Sequence, residues 1–189
     1  MKVILASQSP RRKELMDTLN IPYEIIVSNS DEIMKPGLSL YEQSMDISSQ
    51  KAYDVFSKVD GDCIIIGSDT LVKYQDYVFG KPKSREEAYN MIKTIQNNTH
   101  EVVTSVFMIK RVNGDIETYK DYEVAEVTVD KMSEDEIDEW LSNDFIYGMA
   151  GAYGIQKGFG KYVTSIKGDY YCIVGLPYHD VYKKLREWL

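Results

Sequence analysis

Hydrophobic and polar positions along the chain follow two periods, one typical of strands and one typical of helices. Short apolar runs such as "DCIIIG" have the length of buried strands, whereas longer stretches place apolar residues three and four positions apart. Ser39, Ser84 and Ser133 each stand three residues before a glutamate, which is the spacing of a helix capping box. The pattern predicts helices at about 10–19, 39–58 and 84–97, from 133 onward, and from Pro177 to Leu189.

The predicted strands are connected partly by helices and partly by tight turns. Strands at about 2–6 and 23–28 and the apolar run at 62–67 alternate with helices, which is typical of parallel pairing. Three further stretches have the pattern of hairpins: "LVKYQDYVFG", the long pair joined at Asn113-Gly114, and "KYVTSIKGDYYCIVG", which turns near Gly168-Asp169. We therefore expect an α/β fold with a mixed sheet, in one domain over 1–189 whose 100–129 hairpin is the candidate for a second lobe.

Composition and charge limit the partners and the compartment. The formal net charge of −8 argues against nonspecific binding to nucleic acid or to an anionic membrane. Cys63 and Cys172 both lie in apolar, strand-like runs, so we expect buried reduced thiols, and the two histidines without a CxxC motif argue against a zinc site. Because neither a signal peptide nor a membrane-spanning run stands out, we expect a cytoplasmic protein.

The stretch "LASQSPRRKELM" places three cations at the start of a predicted helix, where the helix dipole disfavours positive charge. A bound anion between the cations and the backbone N–H groups would explain them. Arg11 and Arg12 can hold phosphate oxygens in fork geometry, and Ser7 and Ser9 add hydroxyl donors. The alternative is a solvated basic turn that tolerates a few tenths of a kcal/mol of unfavourable dipole energy.

Three other short motifs contain polar residues in positions that suit ligand binding. Asp69 follows the apolar strand of "IIIGSDTLV", where it can bind a divalent metal, orient a water molecule, or merely form a strand-end turn. Lys81 is held at a rigid corner by Gly80 and Pro82, although most surface lysines are simply solvated. Gln156 lies in the glycine-rich "AGAYGIQKGFGKY", which is either an ordinary loop or a segment that reads a base edge or a phosphate.

Taken together, "LASQSPRRKELM", "GSDTLV", "GKP", "AGAYGIQ" and "GDYYCIVGLP" resemble the Maf family of nucleoside triphosphate pyrophosphatases, in the same order and at similar spacing from Leu5 to about Pro177. A wider similarity extends to inosine-triphosphate pyrophosphatases. The resemblance implies an elongated mixed α/β fold with a cleft between two lobes, often as a homodimer. It also implies cleavage of a nucleoside triphosphate to monophosphate and pyrophosphate with Mg²⁺ or Mn²⁺. The "AGAYGIQ" form is similar to the branch that acts on dTTP, UTP and modified pyrimidine nucleotides.

The resemblance also implies roles for individual residues. Asp69 matches the catalytic acid, Glu32 in "SDEIMK" an early acidic position, and Lys81 the lysine that follows. Asp69 and Glu32 would supply the hard oxygen ligands that a divalent metal needs. The substrate would be bound by residues from three motifs: Ser7, Arg11 and Arg12 in the first, Lys51 in "SSQKAYD", and Gln156 in "AGAYGIQ".

The chain departs from the family pattern just before "AGAY", and other functions stay open. Gly148-Met149 stands where the family usually has Asp-Lys, and Lys157 where glycine often follows the glutamine, which leaves the base preference open. One alternative function is a nucleotide-binding regulator of cell division and septum formation with incidental hydrolysis. Another is a phosphatase that releases orthophosphate, because no residue shows which phosphorus is attacked.

Overall fold

The computed structural model describes the whole chain, residues 1–189, and contains seven strands and six α-helices. The strands are β1 Lys2–Leu5, β2 Glu24–Ile25, β3 Cys63–Tyr74, β4 Tyr77–Phe79, β5 Thr99–Val112, β6 Asp115–Val129 and β7 Val163–Gly168. The helices are α1 Pro10–Thr18, α2 Leu40–Phe56, α3 Arg85–Ile95, α4 Glu134–Leu141, α5 Tyr170–Val174 and α6 Tyr178–Trp188. Four short 3₁₀ turns lie between α4 and β7, at Asp144–Gly148, Ala150–Ala152, Ile155–Lys157 and Phe159–Tyr162.

The strands form one mixed sheet, which confirms the predicted fold class. Its order is β2-β1-β3-β5-β6-β7, and β4 pairs with β3 outside this path. β1 runs parallel to β2 and β3, whereas β4 is antiparallel to β3 and β7 is antiparallel to β6. Ile4 lies opposite Ile65 in the register of β1 and β3, and both side chains are fully buried. Buried parallel strands flanked by helices account for the continuous apolar runs in the sequence.

Two of the three predicted hairpins are present. β5 and β6 are joined at Asn113-Gly114, where both residues have positive φ, as a two-residue turn between twisted strands requires. β3 and β4 turn at Gln75-Asp76, and Gln75 also has a positive φ of 52°.

The serine starts of α2 and α4 are complete capping boxes, as predicted. At α3, Ser84 accepts from the backbone of Glu87, but the Glu87 carboxylate accepts from Lys83 instead of the cap.

The third predicted hairpin is wrong. β7 ends at Gly168, and the residues after it form the short helix α5 rather than a returning strand. Gly168 has a φ of +112°, and the Asp169 carboxylate accepts a hydrogen bond from the backbone of Tyr171, which favours a helix start. An apolar run as short as "YYCIV" does not distinguish a strand from a buried helical turn. Cys172 is therefore helical, although its thiol is buried and reduced, as expected.

The chain folds into two compact units. The first contains Met1–Asp69, Thr104–Glu123 and Gly175–Leu189, and the second contains Thr70–Val103 and Val124–Val174. The turn of the 100–129 hairpin belongs to the first unit and its two ends belong to the second. Each unit has its own apolar core, which includes Ile4, Val55 and Ile65 in the first and Ile92 and Phe159 in the second. No helix is both long and apolar enough to cross a membrane.

Candidate active site

Lys51 lies between two carboxylates that are far from it in sequence. Its ammonium nitrogen is 2.8 Å from Oδ1 of Asp69 and 2.9 Å from Oε1 of Glu32. The side chains of Lys51 and Asp69 are more than nine-tenths buried, whereas 43% of the Glu32 side chain is exposed. The first unit thus brings together three residues that lie in a loop, in α2 and in β3. A cation between two anions attracts both, offsets part of their mutual repulsion and fixes their separation.

Close packing of α2 against β3 makes this contact possible. Gly67 precedes Asp69 by two residues, and a Cβ atom at Gly67 would lie 2.3 Å from the carbonyl oxygen of Ser48. It would also lie 2.8 Å from the backbone nitrogen of Ala52. Only glycine therefore permits this approach of helix and strand, from which Lys51 reaches Asp69. The glycine of "GSDT" is a site-forming residue that the sequence pattern alone did not reveal.

Asp69 has one satisfied and one unsatisfied carboxylate oxygen. Oδ1 accepts from Lys51, but Oδ2 is buried and has no hydrogen-bond partner. Buried polar atoms without a partner are rare because each costs about 1–3 kcal/mol. No group of three or more His, Cys, Asp or Glu side chains is placed to hold a metal ion. Mg²⁺, however, commonly uses one or two carboxylates together with substrate phosphates and water, so Asp69 and Glu32 fit such an ion.

Arg12 is buried and bonded to the protein, which the sequence does not indicate. Its Nε donates to the carbonyl of Gly175 at 2.7 Å, and its Nη1 donates to the hydroxyl of Ser7 at 3.1 Å. Burial lowers the pKa of Arg12, and the charges of Asp69 and Glu32 act in the opposite direction. Arg12 is therefore both a structural link and a cation that acts electrostatically on the two carboxylates.

The other residues of the basic stretch have distinct surroundings. Burial, and then the neighbouring charge of Arg12, lowers the pKa of Arg11 to about 10, so Arg11 is still a cation at neutral pH. Lys13 forms an exposed ion pair with Asp17, one helical turn away. Ser9 is the N-cap of α1 by position, but its side chain makes no capping hydrogen bond. Of the three cations, two are at least partly buried and one is an ordinary surface lysine.

Lys81 and Gln156 belong to the second unit. Lys81 follows β4, and the carbonyl of the preceding Gly80 accepts from the backbone of Gly151 at 3.0 Å, so this corner is bonded to the "AGAYGIQ" segment. Gly151 and Ala152 both have positive φ. The side-chain amide of Gln156 is buried, and neither its nitrogen nor its oxygen has a hydrogen-bond partner. An amide with both ends unsatisfied is suited to a ligand that supplies a donor and an acceptor.

A buried histidine in the second unit was also missed by sequence reasoning. His100 Nε2 and the hydroxyl of Tyr153 are 2.7 Å apart, and the two rings meet edge to face. Burial lowers the pKa of His100 to about 4, so the imidazole is neutral at physiological pH. Because Tyr153 belongs to "AGAYGIQ", the histidine helps to fix that segment. A lone histidine in an apolar strand was the only sequence signal for it.

The family model described as Maf-like protein matches residues 2–188. The chain belongs to the Maf family. The match confirms the resemblance that the motifs predicted and covers both compact units.

Curated relatives of this Maf protein cover nearly its whole length. A protein of Lachnoclostridium phytofermentans named "dTTP/UTP pyrophosphatase" is 38% identical over 188 residues, which are 99% of this chain and 95% of that protein. A protein of the same name from Alkaliphilus oremlandii is 41% identical over 179 residues, 93% of this chain and 90% of that one. A solved dITP/XTP pyrophosphatase from Mycobacterium abscessus is 14% identical, with a TM-score of 0.36 over 70% of this chain and 76% of that one.

Proposed function

We propose that this Maf protein hydrolyses nucleoside triphosphates, with dTTP and UTP among its substrates, to nucleoside monophosphate and pyrophosphate. Relatives named dTTP/UTP pyrophosphatase over nearly the full length support this activity. The structural observation that carries the proposal is the pair Lys51 and Asp69, in which a buried carboxylate oxygen lacks a partner. Clearance of unwanted pyrimidine nucleotides from the cellular pool is the physiological role that fits this chemistry.

The proposal includes a divalent cation, Mg²⁺ or Mn²⁺, held by Asp69 and Glu32. When bound, such an ion neutralises phosphate charge and lowers the pKa of coordinated water. The unsatisfied Oδ2 of Asp69 and the partly exposed carboxylate of Glu32 are the oxygen donors available for it in the first unit. Lys51 keeps the two carboxylates at a fixed separation and offsets part of their mutual repulsion.

The reaction itself needs an acceptor for a proton and cations for the phosphates. Water adds to phosphorus, the α–β anhydride bond breaks, pyrophosphate leaves with the bond electrons, and the proton of the water passes to a base. Asp69 and Glu32 are the proposed catalytic carboxylates, since a carboxylate can accept that proton.

Lys81 is the proposed catalytic cation. Four residues are the proposed triphosphate-binding groups: Ser7, Arg11, Arg12 and Lys51. Arg12 and Lys51 act partly through the protein groups that they contact.

Gln156 is the proposed reader of the base. Thymine and uracil both present an N–H donor beside a carbonyl acceptor on their pairing edge, and one side-chain amide can meet both. The unpartnered, buried amide of Gln156 supports this role. Gly148-Met149 stands just before the "AGAYGIQ" segment, where the family usually has Asp-Lys. The order of preference among pyrimidine nucleotides is therefore the part of the proposed function that this departure affects most.

A role as a regulator of cell division is less well supported, because the relatives have enzyme names and the candidate site contains an unsatisfied carboxylate.

We further propose that the protein acts in the cytoplasm as a homodimer and does not bind nucleic acid. The net charge of −8 supports the last point. Light scattering combined with size-exclusion chromatography would measure the dimer, and a gel-shift assay at low salt would detect any nucleic-acid binding.

Identification of the products tests the proposed function. Purified protein with Mg²⁺ is incubated with a panel of canonical and modified nucleotides, and the products are followed by phosphorus NMR. We expect dTTP and UTP to yield monophosphate and pyrophosphate. Orthophosphate with a nucleoside diphosphate would identify a phosphatase instead. Absence of turnover across the panel, with nucleotide binding retained, would favour the regulator.

A further inference from the structure

Glu32 lies in a segment that has little to hold it in place by itself. Residues 26–39 connect β2 to α2 without a helix or a strand. The apolar side chains next to Glu32 point to solvent, with Ile33 60% exposed and Met34 46% exposed. Burial of apolar surface therefore cannot fix the position of this carboxylate. Polar contacts with α2 must do so.

Gln43 on α2 provides two of these contacts from one side chain. It is only 2% exposed, which is unusual for glutamine. Its amide nitrogen donates to the carbonyl of Ile33 at 3.2 Å, and its amide oxygen accepts from the backbone nitrogen of Lys35 at 2.9 Å. The amide thus binds the backbone immediately after Glu32 through both of its ends. A glutamate at this position could accept from Lys35 but could not donate to Ile33 when ionised.

The other side of Glu32 is attached to the same helix. The carboxylate of Asp54 accepts from the backbone nitrogen of Asn29 at 2.8 Å and from the hydroxyl of Ser28 at 3.0 Å. The segment that carries Glu32 is therefore bonded to α2 at residues 28–29 and again at residues 33–35. Lys51, which meets Glu32, lies on the same helix between these two attachments.

We propose that Gln43 is a positioning residue of the active site, which holds Glu32 where it meets Lys51 and a bound cation. This inference rests on the proposed function, because the value of the position depends on a catalytic role for Glu32. Groups that orient the residues contacting a metal ion typically affect metal affinity or activity by about 10–100-fold. We expect a loss of that size when Gln43 loses its amide.

Two variants of Gln43 and one matched control test the proposal. Gln43→Leu removes both hydrogen bonds, whereas Gln43→Glu keeps the acceptor for Lys35, removes the donor to Ile33 and adds a negative charge. Gln96→Leu is the control, because the Gln96 amide oxygen also accepts from a backbone nitrogen, that of Met132, but in the second unit. We expect both Gln43 variants to lower kcat about 10–100-fold and to raise the Mg²⁺ concentration for half-maximal activity, with KM for dTTP nearly unchanged. Gln96→Leu should leave all three quantities near wild type.

A double-mutant cycle separates positioning from a general loss of stability. If Gln43 acts through Glu32, then Gln43→Leu should lower kcat little further in the Glu32→Gln background. Multiplicative effects of the two substitutions on kcat would overturn the proposal, as would equal effects of Gln43→Leu and Gln96→Leu.

Hydrogen exchange and metal binding provide readouts that do not depend on turnover. In Gln43→Leu, which removes the acceptor of the Lys35 N–H, the Lys35 amide should exchange faster, and Mn²⁺ titrated by calorimetry without nucleotide should bind about 10–100-fold more weakly. Unchanged Lys35 exchange or unchanged Mn²⁺ affinity would overturn the inference. If the wild-type protein does not turn over nucleotide, but Gln43→Leu still shows these two changes relative to it, only the proposed function is contradicted.

Discussion

Lys51 and Asp69 form a buried ion pair, with 2.8 Å between the ammonium nitrogen and Oδ1 of the carboxylate, while Oδ2 of the same carboxylate has no partner. A structural ion pair in a protein interior normally has its remaining oxygens satisfied by further hydrogen bonds. The unsatisfied oxygen of Asp69 distinguishes this pair and points to a ligand that binds there. Glu32 completes the group on the other side of Lys51.

Removal of the central cation should be costly. In Lys51→Met, Asp69 stays buried without the ammonium group that it contacts, and we expect the free energy of unfolding to fall by about 3–5 kcal/mol. Lys58→Met is the control, because Lys58 pairs with Asp54 at the surface and should contribute less than about 1 kcal/mol. Urea denaturation measures both. Equal losses at the two lysines would contradict the assignment of Lys51 as the centre of the site.

The structure changes the expectation for Arg12. From the helix dipole alone, removal of a cation at the start of α1 should be neutral or slightly stabilising. Because Arg12 is buried and bonded to Gly175 and Ser7, we expect Arg12→Ala to lower the free energy of unfolding by at least about 2 kcal/mol. Lys13→Ala, which removes an exposed ion pair, should change it by less than about 1 kcal/mol. Thermal unfolding of Arg12→Ala near the wild-type temperature would show that the dipole argument was sufficient.

His100 should make the protein less stable in acid. Its pKa is about 4 in the folded protein and about 6.5 when unfolded, so between these values the unfolded chain binds more protons. The free energy of unfolding therefore rises with pH from about 4 to 6.5, by about 3 kcal/mol from this residue, and the gain is complete above 6.5. His100→Gln should flatten this part of the curve. An unaltered slope in His100→Gln would contradict the burial argument.

Gly67 should tolerate no side chain. A Cβ atom at this position would meet the Ser48 carbonyl at 2.3 Å, so Gly67→Ala must push α2 away from β3. We expect a loss of about 1–3 kcal/mol in stability, together with a lower kcat because Lys51 is displaced from Asp69. Gly148→Ala has open space around the added methyl group and should keep wild-type stability. Wild-type stability and activity in Gly67→Ala would contradict the proposed role of close packing.

Local signals in the sequence were sufficient for much of the fold. The Asn113-Gly114 turn and the capping boxes at Ser39 and Ser133 are encoded by neighbouring residues, and the structure contains all three. The run 170–174, which contains Cys172, resembles a strand in sequence because five apolar residues have no clear period. Its helical conformation depends on Gly168 and Asp169, whose effect on backbone direction is visible only in three dimensions.

The candidate site was predictable as a set of residues but not as an arrangement. Asp69 is predicted as a site residue because it follows the apolar run 62–67, and the family resemblance adds Glu32 and Lys51. The prediction that the strand ends before Asp69 is wrong, because β3 continues from Cys63 to Tyr74 and contains Asp69. Lys51 bridges the two carboxylates, and its partner Asp69 is 18 residues away in sequence. This contact depends on the packing of α2 against β3. The burial of Arg12 and the role of Gln43 likewise depend on partners distant in sequence.

The turnover of Asp69→Asn is the measurement that tests the central claim most directly. The substitution removes the charge of the carboxylate but keeps its size, and the cations that attract the triphosphate stay in place. With dTTP and Mg²⁺, we predict that kcat falls at least about a hundredfold, that nucleotide still binds, and that the unfolding temperature stays within a few degrees of wild type because Lys51 keeps its contact with Glu32. Near-normal turnover in a folded Asp69→Asn protein would contradict the catalytic assignment and make Glu32 the leading candidate.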